Sequence, residues 1–199
     1  MHSSNDSELG NRRGKALIFS APSGAGKTTI VHHLLQLDLG LEFSISATTR
    51  EKRGDEIDGK DYHFLGLSEF KSKILDHEFV EWQEVYANQF YGTLRTEIDR
   101  IWSSGRHVIF DVDVEGGINL KRYFKSDALS IFIEPPSIDI LEERLRLRNT
   151  DSEGSIQNRI RKAGSELTKS NQYDCTLVNK DLTKTLQKAE LIVREFLIT

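Results

Sequence analysis

The chain has 199 residues, of which 37% are hydrophobic and 29% charged, and its formal net charge at pH 7 is −4. These values predict a single globular domain; they exclude a disordered chain and argue against a protein that coats nucleic acid. One cysteine excludes an intramolecular disulfide, and no apolar run approaches the roughly 18 residues that span a bilayer. We therefore expect a cytoplasmic monomer or homodimer with neither nucleic acid nor a membrane as partner, whose polar residues 1–13 form a flexible tail.

Apolar runs alternate with helical periodicity along the rest of the chain. Strands are predicted at 15–20, 107–112, 128–134 and 175–179. Helices are predicted at 27–37, 67–76, 93–104, 116–125, 137–148, 155–170 and 181–197. This alternation is typical of a three-layer α/β protein, in which helices cover both faces of a parallel sheet. Residues 43–92 are polar and rich in glycine, arginine and aromatic residues, and they predict a small mixed insertion.

The run SAPSGAGKTT, residues 20–29, joins the first predicted strand to the first predicted helix and has the form of a phosphate-binding P-loop. Gly24 and Gly26 allow the backbone to curve around an anion, so that amide N–H groups point at phosphate oxygens. Lys27 would reach the β- and γ-phosphates of a nucleotide, and Thr28 would hold Mg²⁺.

The P-loop departs from the usual pattern at Ala21, where a glycine is expected. Alanine fits this turn only at negative φ. The alternative is a flexible Gly/Ser loop that caps a helix. The expected nucleotide-binding residues of the loop are Ala21, Pro22, Ser23, Gly24, Ala25, Gly26, Lys27, Thr28 and Thr29.

The insertion carries a second group of charged and aromatic residues. The run TTREKR, residues 48–53, precedes GKDY at 59–62, and EW at 81–82 and YGT at 91–93 follow. Arg50 and Arg53 are suited to bidentate contacts with a phosphate, and we expect Tyr62 and Tyr91 near them in the fold. The alternative is a solvated charged loop.

Taken in order, the motifs APSGxGK[ST], TTRxxR, GxDY, EW and YG[ST] resemble those of the guanylate kinase family, from about residue 15 to the C-terminus. The resemblance implies transfer of the γ-phosphate of ATP to GMP, and to dGMP, with Mg²⁺ as cofactor. It implies a P-loop NTPase-type fold with a core at about 14–45, 93–143 and 171–199, a GMP-binding subdomain at about 46–92 and a lid at about 144–170. Asp55 stands where the family usually has glycine, and it affects the turn after Arg53 without removing a ligand.

Glu81 is the candidate for recognition of the guanine base. Guanine offers N1–H and an amino group as adjacent donors, which one carboxylate accepts together, whereas adenine would leave the carboxylate unpaired. The hydroxyls of Ser46 and Thr93 are expected near O6 and the ring edge. The alternative for Glu81 is an exposed strand residue beside a packed Trp82.

Asp111 and Asp113 lie where the strand predicted at 107–112 ends. Ligands of open α/β sheets bind beyond the carboxyl ends of the strands. By the resemblance, we expect Asp111 near the metal and Asp113 near the guanine amino group. The alternative for Asp113 is an N-cap of the following helix.

Arg144, Arg148 and Arg159 resemble the charge-neutralising arginines of the family, in a lid that closes over ATP and excludes water. Catalysis then rests on alignment, Mg²⁺, Lys27 and these arginines, because the GMP phosphate is already an anionic nucleophile. Arg146 and Arg161 are expected to be solvated. Asn179 matches a family position near the ATP base; its alternative is a simple turn at a strand end.

Two other functions remain open on these residues. One is a kinase for another phosphorylated small molecule, against which Glu81 and Thr93 argue. The other is a non-catalytic guanylate-kinase-like module that reads phosphorylated peptides; such modules usually have degraded P-loops. The intact Gly26-Lys27-Thr28 favours the enzyme.

Overall fold

The computed structural model of the protein describes residues 14–147 and 153–199. Its central sheet consists of five parallel strands. In their order of pairing the strands are β2 (Leu41–Phe43), β7 (His107–Val112), β1 (Ala16–Ser20), β8 (Ala128–Glu134) and β9 (Cys175–Val178). The register sets Phe19 of β1 opposite Asp111 and Ile131. β1 is therefore the central strand, and all its residues are buried, which explains why Ala16 to Phe19 are apolar without alternation.

Alternate residues of β1 face opposite layers of helices. Leu17 and Phe19 pack in one cluster with α1 (Lys27–Leu35) and α7 (Leu182–Ile198). Ala16 and Ile18 pack on the other face with α3 (Arg95–Ser103) and α4 (Val114–Phe124). The three-layer α/β architecture predicted from the sequence is confirmed.

A second, four-stranded sheet lies between β2 and α3 in the chain. Its strands pair in the order β4 (His63–Phe64), β3 (Ala47–Thr48), β6 (Gln89–Leu94) and β5 (Phe79–Tyr86), and it carries the helix α2 (Leu67–Leu75). Ala47, Phe70, Phe79 and Phe90 form a buried cluster of its own, in which the rings of Phe70 and Phe79 stack at 4.4 Å. Parallel and antiparallel pairs both occur, so this is the mixed insertion that the sequence predicts.

Two further helices, α5 (Ile138–Leu147) and α6 (Glu153–Leu167), pack on each other through Leu141, Leu145, Ile156 and Ala163. Short 3₁₀ turns occupy Lys125–Asp127 and Ser170–Gln172. Among the helices in the described ranges, none combines the length and the apolar content needed to cross a membrane.

Among the differences from the sequence-based expectations are those at β2, β6 and α4. β2 was not predicted as a strand, because three residues with Glu42 in the middle are too short to show periodicity. Thr93 and Leu94 end β6 and do not begin a helix, which starts at Arg95. α4 begins two residues earlier than predicted, because the Asp113 carboxylate accepts the N–H of Gly116 at 2.8 Å and so caps the helix.

Candidate active site

Two cavities adjoin at the carboxyl ends of the central strands. The smaller, of about 340 Å³, lies between β7 and the second sheet. The larger, of about 910 Å³, lies between the P-loop and α6. Of the described residues, four line both cavities: Lys27, Tyr91, Asp113 and Lys162. Two ligand-sized spaces therefore meet at a group that contains two lysines.

The P-loop is shaped by two glycines. Gly24 and Gly26 have φ of +98° and +96°, in the left-handed region that strains residues with a side chain. The Ala25 N–H donates to the Pro22 carbonyl at 3.1 Å and closes the turn. Ala21 has a negative φ, which meets the condition that the sequence analysis placed on it.

Lys27 and Thr28 begin α1 beside the end of β7. Lys27 Nζ donates to the Asp111 carboxylate, and to the Val112 carbonyl at 2.8 Å. Thr28 Oγ1 donates to the second oxygen of Asp111 at 2.8 Å. The structure thus brings together the residues predicted to contact phosphate and metal. A hydroxyl and a carboxylate are oxygen ligands of the kind that Mg²⁺ prefers, so these side chains fit that ion.

Arg50 is only 8% exposed, and its guanidinium is held on two sides. Nε donates to the Tyr91 hydroxyl at 3.1 Å, and both terminal nitrogens donate to the Glu56 carboxylate at 2.8 Å. The guanidinium carbon lies 5.1 Å from the centroid of the Tyr62 ring. The hydrogen bonds from Arg50, and then that from the Arg53 backbone, lower the pKa of Glu56 to about 2. Arg50 therefore contacts both tyrosines that were expected near it, and it also pairs with the ionised carboxylate of Glu56.

Arg53 does not share the position of Arg50. Its backbone N–H donates to Glu56 at 2.8 Å, while its exposed side chain lines the larger cavity. Of the two tyrosines that contact Arg50, Tyr62 lines the smaller cavity and Tyr91 lines both. In the following turn Gly54 takes the positive φ of +48°, so Asp55 is accommodated as an exposed residue.

Glu81 and Thr93 are cross-strand neighbours on β5 and β6. Thr93 Oγ1 donates to Glu81 Oε1 at 3.0 Å. Burial raises the pKa of Glu81 to about 7; the Thr93 hydrogen bond lowers it, and the nearby Asp113 carboxylate raises it. Glu81 lines the smaller cavity, whereas Trp82 is 43% exposed. The alternative of an exposed Glu81 beside a packed Trp82 is thus the reverse of what the structure has.

Asp113 has the capping role that was the alternative interpretation, and it also lines both cavities. Gly116 lies close to it. A Cβ on Gly116 would be 3.1 Å from Asp113 Oδ1 and 3.6 Å from Glu81 Oε2, so the absence of a side chain keeps the space beside both carboxylates open. Ser46 lines the same smaller cavity.

Arg144 and Asn179 contact the P-loop backbone. Asn179 is 4% exposed, and its Nδ2 donates to the Ala25 carbonyl at 2.8 Å. Arg144 donates to the Asn179 carbonyl at 2.9 Å. The buried Asn179 Oδ1 has no hydrogen-bond partner within the described part of the chain. These two residues therefore hold the backbone of the P-loop in place.

α6 reaches the P-loop through Arg159, which donates to the Ser23 hydroxyl at 2.6 Å. Arg148, the third arginine expected in the lid, lies outside the described residues. Arg146 is exposed and pairs with Glu142 at 2.7 Å, and Arg161 is exposed as well, as the sequence analysis expects.

Glu56, Lys162 and Glu166 are charged residues of the site that were not predicted from the sequence. Glu56 contacts Arg50 across an irregular loop, so no spacing rule points to it. Lys162 had a signal, because it follows Arg159 by three positions and shares its helix face. Glu166 follows Lys162 by four positions and repeats that face.

The comparisons with known proteins agree with one another. The family model for guanylate kinase matches residues 13–196. A guanylate kinase of Bacteroides fragilis is 47% identical over 183 residues, which cover 92% of this chain and 90% of the relative. One of Porphyromonas gingivalis is 45% identical over 184 residues, covering 92% and 98%. The crystal structure of guanylate kinase from Anaplasma phagocytophilum has a TM-score of 0.74 to this chain at 29% identity, covering 94% of this chain and 87% of that one.

Proposed function

Since this chain belongs to the guanylate kinase family and transfers the γ-phosphoryl group of ATP to GMP, we propose that its two cavities divide the substrates between them. The smaller cavity takes GMP and the larger takes ATP. The observation that carries this proposal is the position of Lys27, which lines both cavities. The reacting phosphates must come within about 3–3.5 Å of each other, so the reaction belongs where the cavities adjoin.

The P-loop and α1 hold the phosphates of ATP in this proposal. Backbone N–H groups at a helix N-terminus attract phosphate oxygens, and Lys27 is placed to leave Asp111 for the β- and γ-phosphates. Asn179 and Arg144 support the loop through Ala25 and the Asn179 backbone. The buried Oδ1 of Asn179 has no partner among residues 14–147 and 153–199, which leaves an acceptor for an amino group of the ATP base.

Thr28 and Asp111 would hold Mg²⁺, since their oxygens already lie 2.8 Å apart. When bound, the ion neutralises charge on the β- and γ-phosphates of ATP. Arg144 and Arg159, which contact the P-loop region, add positive charge there, and we expect Arg148 to act with them. No general base is needed, because the phosphate oxygen of GMP attacks as an anion.

The GMP site combines a phosphate clamp with a base reader. Arg50, Tyr62 and Tyr91 form one side of the clamp, and Arg53 closes it from the larger cavity. Glu81 accepts both donors of the guanine edge, and its bond from Thr93 fixes the carboxylate orientation. Ser46 and Asp113 contact the remaining base edge. dGMP offers the same base and phosphate, and we include it as an acceptor.

One chain carries every residue named here, so we propose that a monomer, or each half of a homodimer, is active. We place it in the cytoplasm, where ATP and GMP are supplied.

A coupled assay with ATP and each of GMP, AMP, CMP and UMP tests the proposal. Only GMP should give rapid ADP formation. Lys27→Ala should lower kcat by at least about 10²–10³-fold with an unchanged circular dichroism spectrum, because it removes charge stabilisation and no core packing. The exposed Lys188 on α7 supplies the control, Lys188→Ala. Near-normal kcat in Lys27→Ala would contradict the division of the cavities.

A further inference from the structure

We infer that Lys162 is a further catalytic residue, whose ammonium group neutralises the phosphoryl group as it passes from ATP to GMP. The inference rests on the proposed division of the cavities. It assigns a role to a residue of α6 that neither the sequence motifs nor the lid arginines include.

Lys162 lies where the two cavities adjoin. Four described residues line both cavities, and three of them, Lys27, Tyr91 and Asp113, were expected at the site from the sequence. Lys162 is the fourth. Lys27 and Lys162 are the two cationic residues among the four. A phosphoryl group that crosses from one cavity to the other therefore moves past both side chains.

The helix α6 places Lys162 on the same face as Arg159. Arg159 precedes Lys162 by three positions, so both side chains lie on one face of α6. Arg159 already touches the P-loop at Ser23, which turns this face toward the nucleotide. Lys162 is 52% exposed on a flexible four-carbon stem, so its ammonium can follow a moving charge.

Glu166 forms an ion pair with Lys162. The two side chains approach to 3.4 Å, and that of Glu166 is only 11% exposed. Burial raises the pKa of Glu166, and the charge of Lys162 lowers it. Glu166 also lines the larger cavity, so it holds the ammonium beside the site through one contact, and an ammonium group has three donors.

The chemistry needs such a cation. A phosphate oxygen of GMP forms a bond to the γ-phosphorus while the bond from that phosphorus to the β–γ bridging oxygen breaks. The electron pair of the broken bond stays on the β-phosphate of ADP, and no proton has to move. Anionic groups approach each other in this step, and stabilisation of the charge between them is the main means of catalysis for phosphoryl transfer.

The test compares Lys162→Gln with Arg161→Gln, which removes the same charge from the adjacent, exposed position of the helix. Lys162→Gln should lower kcat by about 10–100-fold, while the KM values for ATP and GMP change less than about twofold. Affinity for an adenosine–guanosine pentaphosphate, which spans both cavities, should fall about tenfold. Arg161→Gln should stay within about twofold of wild type in each measurement. Lys162→Arg should recover most of the lost kcat, because it restores the charge.

Equal behaviour of Lys162→Gln and Arg161→Gln in kcat and in binding of the pentaphosphate would overturn the inference. So would a rise in KM for ATP alone with normal kcat, since that would make Lys162 a binding residue. An active Lys27→Ala would instead remove the proposed division of the cavities. Inactive Lys27→Ala together with unaffected Lys162→Gln refutes only the role of Lys162.

Discussion

Glu56 holds the guanidinium of Arg50 with both carboxylate oxygens at 2.8 Å, while the Tyr91 hydroxyl accepts from Nε on another edge. Only a planar fork of donors can satisfy these partners together. Arg50 is thus fixed in one orientation before a ligand arrives, which reduces the entropy that phosphate binding would cost. Its exposed neighbour Arg53 lacks this restraint on its side chain.

Arg50→Lys should therefore be nearly as harmful as Arg50→Ala. Lysine keeps the charge but cannot span Glu56 and Tyr91, so we expect KM for GMP to rise about tenfold or more in both variants, with KM for ATP unchanged. Steady-state kinetics with each substrate varied in turn measures this. The control is Lys52→Arg, the reverse exchange at an exposed position nearby. A wild-type KM for GMP in Arg50→Lys would show that charge alone suffices.

The raised pKa of Glu81, about 7, predicts a pH dependence of guanine recognition. The carboxylate accepts both guanine donors only when ionised, so kcat/KM for GMP should fall as pH drops below about 7, approaching tenfold per pH unit. The Arg50–Glu56 pair does not contribute in this range, because the pKa of Glu56 is about 2.

The phosphate of GMP itself titrates near pH 6, so the profile must be compared with that of Glu81→Gln. The ratio of wild type to variant cancels the contribution of the phosphate. This ratio should decline toward acid pH; a ratio independent of pH would contradict the role of Glu81.

Glu81→Gln should also change the choice of acceptor. The amide offers one acceptor and one donor, so guanine loses a bond and meets an opposed donor, at a cost of about 1–3 kcal/mol. We expect kcat/KM for GMP to fall about 10–150-fold, while activity with IMP or AMP falls less or rises. Measurement of all three acceptors on both proteins decides the matter. Equal loss on all three would mean that Glu81 supports the fold and does not read the base.

Gly116→Ala should separate stability from GMP binding. Alanine in place of glycine favours a helix by up to about 1 kcal/mol, so thermal unfolding should change little. The new Cβ would crowd Asp113 Oδ1 at 3.1 Å and intrude beside Glu81, so KM for GMP should rise several-fold. Gly164→Ala on α6 is the matched control, because its Cβ would meet nothing within 4 Å. Similar KM values in both variants would contradict the assignment of this space to the base.

The sequence predicts those parts of the site that depend on local patterns. The P-loop can be predicted because strand, glycines, lysine and helix follow one another within 20 positions. The left-handed φ of Gly24 and Gly26 agrees with the predicted turn. The three-layer core can be predicted because four consecutive residues of β1, Ala16 to Phe19, are apolar. The short edge strand β2 has no such pattern, and it is defined only by its pairing with β7.

Contacts between segments that are distant in the sequence are harder to predict. Glu81 and Thr93 meet because β5 and β6 pair in a register that contains irregularities, which composition does not reveal. Glu56 reaches Arg50 through a loop without regular spacing. Asp113 illustrates another limit of sequence-based prediction. A helix cap and a place in the site were treated as alternatives for this residue, whereas its side chain both caps α4 and lines both cavities.

The bond from Asn179 to the Ala25 carbonyl joins positions that are 154 residues apart. The ribosome therefore makes the P-loop long before it makes the strand whose end holds that loop in shape. A growing chain that has not yet released β9 lacks both this bond and the Arg144 contact to Asn179. The contacts that hold the P-loop from the end of β9 can therefore form only after the sheet has acquired its final strand.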